Sequence, residues 1–366
     1  MHRDSAVRRP VVQFVAIAIV SAVIAAAAPH PASDDRGLYE DLGRQIPLPD
    51  CWNLACGRVL VAGVLEHLPG RSELRWKTYA VLANAGASVA VGRFAVVIGL
   101  SSRSGQLASW IAAAGFGSLY TLFDPYTSDP LMYLMGPALS ILLLRGWRAG
   151  AGLLGGVAIF AKEFAAVPLW MFTIVAALER RWEDATKTLL TAMTVTLVWF
   201  GSLTFLMAFY NYGFGENKSV DLLHGGYLGL WLSSVGVSGA VKYLFMVFSA
   251  LYVLFPAGFQ RSPRKLQRLV IASVPAVVVF LYVQQPERAL WNFHFVVIAV
   301  AVAALAALPG WAAWLFVICF GITNLRFGAQ LLTASAGRLA LVMSLLLAGA
   351  AVWRLPLNRH AIPAEE

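Results

Sequence analysis

Twelve apolar runs separated by short polar or basic turns take up most of this 366-residue chain and leave it few folds to choose from. They are Val11 to Ala28, Thr78 to Leu100, Leu107 to Phe123, Leu131 to Leu144, Ala151 to Ala161, Phe164 to Leu178, Thr188 to Tyr210, Ala240 to Phe259, Leu269 to Val283, His294 to Leu308, Ala312 to Gly328 and Leu339 to Trp353. Runs of this kind suit a hydrocarbon layer about 30 Å thick, so the expectation is an all-α polytopic transmembrane bundle of about 10–12 helices. Composition agrees. With 59% hydrophobic residues, 13% charged and a mean hydropathy of +0.70, the apolar surface exceeds what a soluble globule could hide. That excludes a soluble enzyme, a DNA-binding protein and a disordered scaffold. The net charge of +9 reflects basic loops rather than a nucleic-acid partner.

Those loops set the orientation. With the amino terminus cytoplasmic, Arg103, Arg145, Arg148, Arg180, Arg181, Lys187, Arg261, Arg264, Lys265, Arg268 and Arg354 all fall inside, while Asp34, Asp35, Asp50, Asp124, Asp129 and Glu287 fall outside. Val11 to Ala28 is longer than a signal-peptide core and is expected to remain as the first helix. Residues 1–366 read as one polytopic domain. Its largest loop, Pro29 to Lys77, is turn-rich to Pro49 and then carries Leu54, Val61, Val64, Leu65 and Leu68 at helical spacing, which predicts a helix on the outer surface. A second external loop is expected from Asn211 to Gly239. Cys51 and Cys56 could be bonded or free there.

Charges near bilayer depth each call for a reason. Lys162 and Glu163 meet at a turn between two short runs, where each is expected to neutralise the other facing a cavity open to the outside. Arg288 and Arg326 fall at external helix ends, the depth of a lipid phosphate, which a guanidinium fork suits; interfacial anchoring explains either equally well. Asp34 and Asp35 follow the first crossing, and Asp124 and Asp129 flank another external turn. Such carboxylates could supply a general base or hold a divalent cation, and solvated loop acids would look the same. His30, His67, His224 and His294 show no ligand spacing.

The order of these motifs resembles the GT-C class of integral-membrane glycosyltransferases, and is similar to the bacterial mannosyl- or arabinosyl-type and glycosyltransferase 87-like membrane families. Asp35 to Tyr39 matches an Asp-x-x-x-Tyr motif. Arg58-Val59-Leu60 precedes Leu68-Pro69; the Asp129-Pro130 turn follows; Gly156 to Glu163 matches a Gly-x-Ala-x-x-x-Lys-Glu pattern; and Pro286-Glu287-Arg288 comes late. The resemblance is continuous from about Val11 to Leu178, making residues 1–178 the catalytic half and 179–366 variable helices. It implies a polyprenyl-phosphate-linked sugar donor, a glycan or glycolipid acceptor and a bacterial-type inner membrane with both termini cytoplasmic and the site external. Asp35 would be the base, and Asp34 and Asp129 would shape the acceptor or metal site, with magnesium or manganese as the candidate cation. Lys162, Arg288 and Arg326 would hold the donor phosphate, and Tyr39, Arg58, Glu163 and His294 complete the implied substrate-binding set. The large external carboxy-terminal domain of many relatives is not expected, so acceptor recognition falls to the loops. A transporter or flippase, or a non-catalytic subunit of an envelope-polysaccharide complex, is the competing reading.

Overall fold

In lipid a backbone must satisfy its own hydrogen bonds, and this chain does so with helices throughout. The computed structural model describes residues 3–29, 35–51, 54–212, 226–283 and 285–355, and no strand occurs among them. In chain order the helices are α1 (Arg3–Ala27), α2 (Asp35–Arg44), α3 (Val59–Glu66), α4 (Ser72–Val97), α5 (Ser102–Ala113), α6 (Phe116–Phe123), α7 (Asp129–Leu144), α8 (Arg148–Ala158) and α9 (Val167–Leu178). There follow α10 (Trp182–Tyr210), α11 (Gly226–Phe248), α12 (Leu251–Arg261), α13 (Arg264–Val283), α14 (Pro286–Trp291), α15 (His294–Leu305), α16 (Gly310–Phe327) and α17 (Ala334–Trp353). Short 3₁₀ turns at Leu54–Gly57 and Glu163–Ala166 lead into α3 and α9.

Seven of the described helices are long and apolar enough to cross a membrane, and three shorter apolar ones, Asp129–Leu144, Glu163–Leu178 and His294–Leu305, lie among them. This is a multi-pass membrane protein. Outer helices carry exposed apolar stripes, as with Val12, Ile19 and Val23 on α1 or Leu339 and Leu346 on α17. Helix α15 is buried along nearly its whole length, making it the central column.

Four departures from the sequence expectation appear. The Leu107 to Phe123 run breaks into α5 and α6, because Gly115 and Gly117 leave the space that the Trp291 ring fills; a Cβ on either would lie 2.0 Å from that ring. The Ala240 to Phe259 run breaks after α11, where Ser249 takes a left-handed conformation (φ 49°). The stretch from Gly226 to Gly239, expected as loop, is helical, with a kink at Gly236. The turn-rich segment before Pro49 contains α2, whose Tyr39 and Leu42 are buried. Helix α3 appears as predicted, but its Val61, Ala62 and Leu65 pack inward.

Helices α4 and α5 cross backbone to backbone: a Cβ on Gly92 would sit 2.0 Å from Ser109 Oγ and 2.5 Å from the Gly105 carbonyl. Only small residues permit that approach. Gly92→Ala is therefore expected to cost about 1–3 kcal/mol through overpacking. A thermal midpoint in detergent equal to the wild type's would show that the crossing can spread without cost.

Candidate functional site

The site is assembled around Asp129, at the start of α7. Tyr79 of α4 fixes the approach: its hydroxyl donates to the Ser128 carbonyl (3.2 Å) and accepts from the Leu131 amide (3.1 Å). The Asp129 amide donates to Thr127 Oγ1 at 3.3 Å. So anchored, the carboxylate is 1% exposed and engaged on both oxygens, Oδ1 by Lys162 Nζ at 2.5 Å and Oδ2 by Arg288 Nε at 2.8 Å. A second Arg288 nitrogen donates to Thr127 Oγ1 at 2.9 Å.

Beside this triad lies a second pair. Arg58, between the first 3₁₀ turn and α3, forks onto Glu163, with NH2 2.8 Å from Oε1 and Nε 3.3 Å from Oε2. The Leu60 amide donates to the Phe160 carbonyl at 3.0 Å, stitching the first loop to the end of α8. The expectation that Lys162 and Glu163 pair with each other is thereby corrected. Lys162 is an extended residue (φ −170°, ψ 145°), and successive side chains on extended backbone point in opposite directions. Each reaches a different partner.

Three cations (Arg58, Lys162 and Arg288) and two carboxylates (Asp129 and Glu163) leave the network one positive charge in excess. Arg58 and Arg288 lie near enough to Lys162 to repel its ammonium, and buried Tyr39 sits within electrostatic reach of Arg58, Arg288 and Asp129. Burying charge is costly unless it is paired, and three cations sharing two carboxylates form an arrangement that suits an anion. Its accessible edge is Arg288, with 22% side-chain exposure against 2% for Lys162.

Helix α14 presents that arginine. Pro286 opens the helix, where its fixed φ is already helical, and Trp291 closes it, fully buried and stacked on Phe248 (5.4 Å) and His294 (5.2 Å). Trp291 was not marked by the sequence; the Gly115 and Gly117 pair opposite its ring was the available signal. Thr127 was also missed, hidden in an ordinary-looking turn.

Helix α2 brings Asp35 to the same end. It docks through Tyr39 on Trp76 (5.4 Å), Arg36 over the Tyr126 ring (5.2 Å) and Glu40 accepting from Ser72 Oγ (2.8 Å). Asp35 is half-buried and makes no hydrogen bond or ion pair among the described residues. Tyr120 lies within electrostatic reach of Asp35, Asp124, Asp129 and Arg288 together. The Cys51 and Cys56 thiols are joined as a disulfide, and Asn211 donates to Asp50 at 2.7 Å, tying this loop to the end of α10.

Other expected site residues fall elsewhere. Asp34 lies outside the described residues. Arg326 stands apart: its aliphatic stem packs on Gly337 of α17, and it makes no ion pair among the described residues. His294 is buried, with Nδ1 2.9 Å from the Trp291 carbonyl and its ring edge-on to Tyr133 at 5.6 Å. Both Asp129 carboxylate oxygens are engaged by cations, one by Lys162 and the other by Arg288. Among the described residues no three His, Cys, Asp or Glu side chains converge as ligands.

No protein-family model and no curated protein matches the sequence. Among solved structures, the chain is similar to the oligosaccharyltransferase of Archaeoglobus fulgidus in its apo form, with a TM-score of 0.49 and 14% sequence identity over 93% of this chain. It spans 56% of that protein's length.

Proposed function

We propose that this protein is a glycosyltransferase of the GT-C type, moving a sugar from a polyprenyl-phosphate donor to a hydroxyl of a glycan or glycolipid acceptor. The observation that carries the reading is the surplus positive charge of the Arg58, Lys162 and Arg288 network, exposed at Arg288 on the end of the bundle where α2 holds Asp35. An anion borne by a membrane lipid is the ligand this arrangement suits. The Cys51–Cys56 disulfide belongs to an oxidising compartment, and the basic turns gather at the opposite end, which together support an external site.

In this mechanism Asp35 takes the proton of the acceptor hydroxyl as its oxygen bonds to the anomeric carbon. The bond from that carbon to the donor phosphate oxygen breaks on the opposite face, giving inversion, and its electron pair stays on the phosphate. Phosphate is a weak base, so the departing group needs cations more than it needs a proton. Arg288 touches it. Lys162, locked behind Asp129, acts as a positioning residue, and Arg58 adds to the local field.

Transfer of labelled sugar from a panel of polyprenyl-phosphate sugars tests the proposal, comparing wild type with Arg288→Lys. Lysine keeps the charge and loses the fork that serves Asp129 and Thr127 at once, so kcat/KM is expected to fall about 10- to 100-fold, the worth of one charged hydrogen bond. Unchanged transfer would remove Arg288 from the donor site. Flipping of the donor by reconstituted protein, with no transfer to any acceptor, would replace the enzyme by a transporter.

A further inference from the structure

The end of the bundle opposite Asp129 holds a cavity of about 400 Å³. It forms where the last turns of α4, α7 and α9 meet the first turns of α8, α10 and α13, about 24 Å from the candidate site along the 16 residues of α7. Part of its wall is apolar, from Ile98, Leu143, Leu144, Phe172, Val175 and Leu269.

The rest of the wall is charged, from Arg148, Glu179, Arg181, Asp184 and Lys265, and Arg268, just outside the lining, joins these charges through Glu179. Arg268 NH1 lies 2.5 Å from Glu179 Oε1, and Arg181 bridges Glu179 and Asp184 at 2.6 Å each; Arg148 pairs with the other oxygen of Asp184. Three guanidinium groups share two carboxylates. Lys265 lines the same cavity from the first turn of α13, is exposed, and makes no ion pair among the described residues. Over the residues that line the cavity, Arg148, Arg181 and Lys265 against Glu179 and Asp184, the excess is one positive charge beside an apolar wall.

We propose that this cavity is a binding site for the headgroup of an anionic phospholipid, with the phosphate on Lys265 and Arg181 and the acyl chains along the apolar wall. A free phosphate ion would use the cations and leave the wall idle. Basic pockets between transmembrane helices suit anionic headgroups for this reason, and a clustered basic residue contributes about fivefold in affinity.

Native mass spectrometry of the full chain in detergent tests this, with phosphatidylglycerol and phosphatidylcholine titrated in parallel. Wild type is expected to retain phosphatidylglycerol preferentially, and Lys265→Gln to lose about fivefold of that preference. Lys265 makes no ion pair among the described residues, so the variant should fold normally. Lys242→Gln, near the other end of the bundle, should behave as wild type. Equal retention of the two lipids, or a preference untouched by Lys265→Gln, would overturn the proposal. So would inorganic phosphate raising the thermal midpoint as far as phosphatidylglycerol does, which would make this an ion site. Because the readout is binding and not transfer, its outcome is independent of the activity proposed above.

Discussion

Asp129→Ala is expected to destabilise the protein by about 3–5 kcal/mol, the cost of removing one member from a buried ion network. The loss should appear as a lower thermal midpoint and a lower yield in mild detergent, with transfer abolished. Asp129 is the counter-charge of two cations, and one of them, Lys162, is 2% exposed with no water to fall back on. Asp129→Asn keeps hydrogen-bonding capacity without charge and should fall between wild type and the alanine variant. Pairing Asp129→Leu with Lys162→Met removes the buried lysine charge together with its partner and leaves only Arg288, which reaches solvent. That double variant should regain much of the stability and none of the transfer. An alanine variant as stable as wild type would show that the network contributes nothing to folding.

Asp35→Asn is expected to lower kcat about 10²- to 10⁴-fold, the range for losing a positioned general base. The thermal midpoint should stay where it is, because the Asp35 carboxylate makes no hydrogen bond or ion pair among the described residues. The two aspartates therefore separate by readout: one variant changes stability and activity together, the other activity alone. Full transfer by Asp35→Asn would dismiss it as the base, and Asp34→Asn would be the next variant to assay.

The helical class and the spans were legible because apolar length is a local property: α7, α8, α9, α13, α15, α16 and α17 lie within about five residues of their expected runs, while α1, α4 and α10 begin six to eight residues earlier. The breaks were not. Gly115 separates α5 from α6 because of a tryptophan that arrives from α14, and no window around Gly115 contains it. The charged residues themselves stood out as costly in lipid, but their pairing did not. Asp129 meets Lys162 across 33 positions and Arg288 across 159, and Arg58 meets Glu163 across 105. Adjacency suggested the Lys162–Glu163 pair; the extended joint beneath them decided otherwise. Arg58 was marked only through the motif beside it, and nothing in the sequence announced that a glutamate would hold it.

The three short helices have a consequence for the shape of the membrane around the site. Helices α7, α9 and α15, of 16, 12 and 12 residues, rise about 24, 18 and 18 Å, against about 30 Å of hydrocarbon. Counted from the basic end of the bundle, they stop roughly 6 to 12 Å short of the far surface. Around them α4 and α10, with 26 and 29 residues, are long enough to reach it. The far ends of the three short helices thus lie below those of their long neighbours, and α2 docks over that end through Tyr39 on Trp76 and Arg36 on Tyr126. On the function proposed above, a phosphate carried on a lipid would reach that level while its chain stays in oil, and the acceptor would be the partner that leaves water to react.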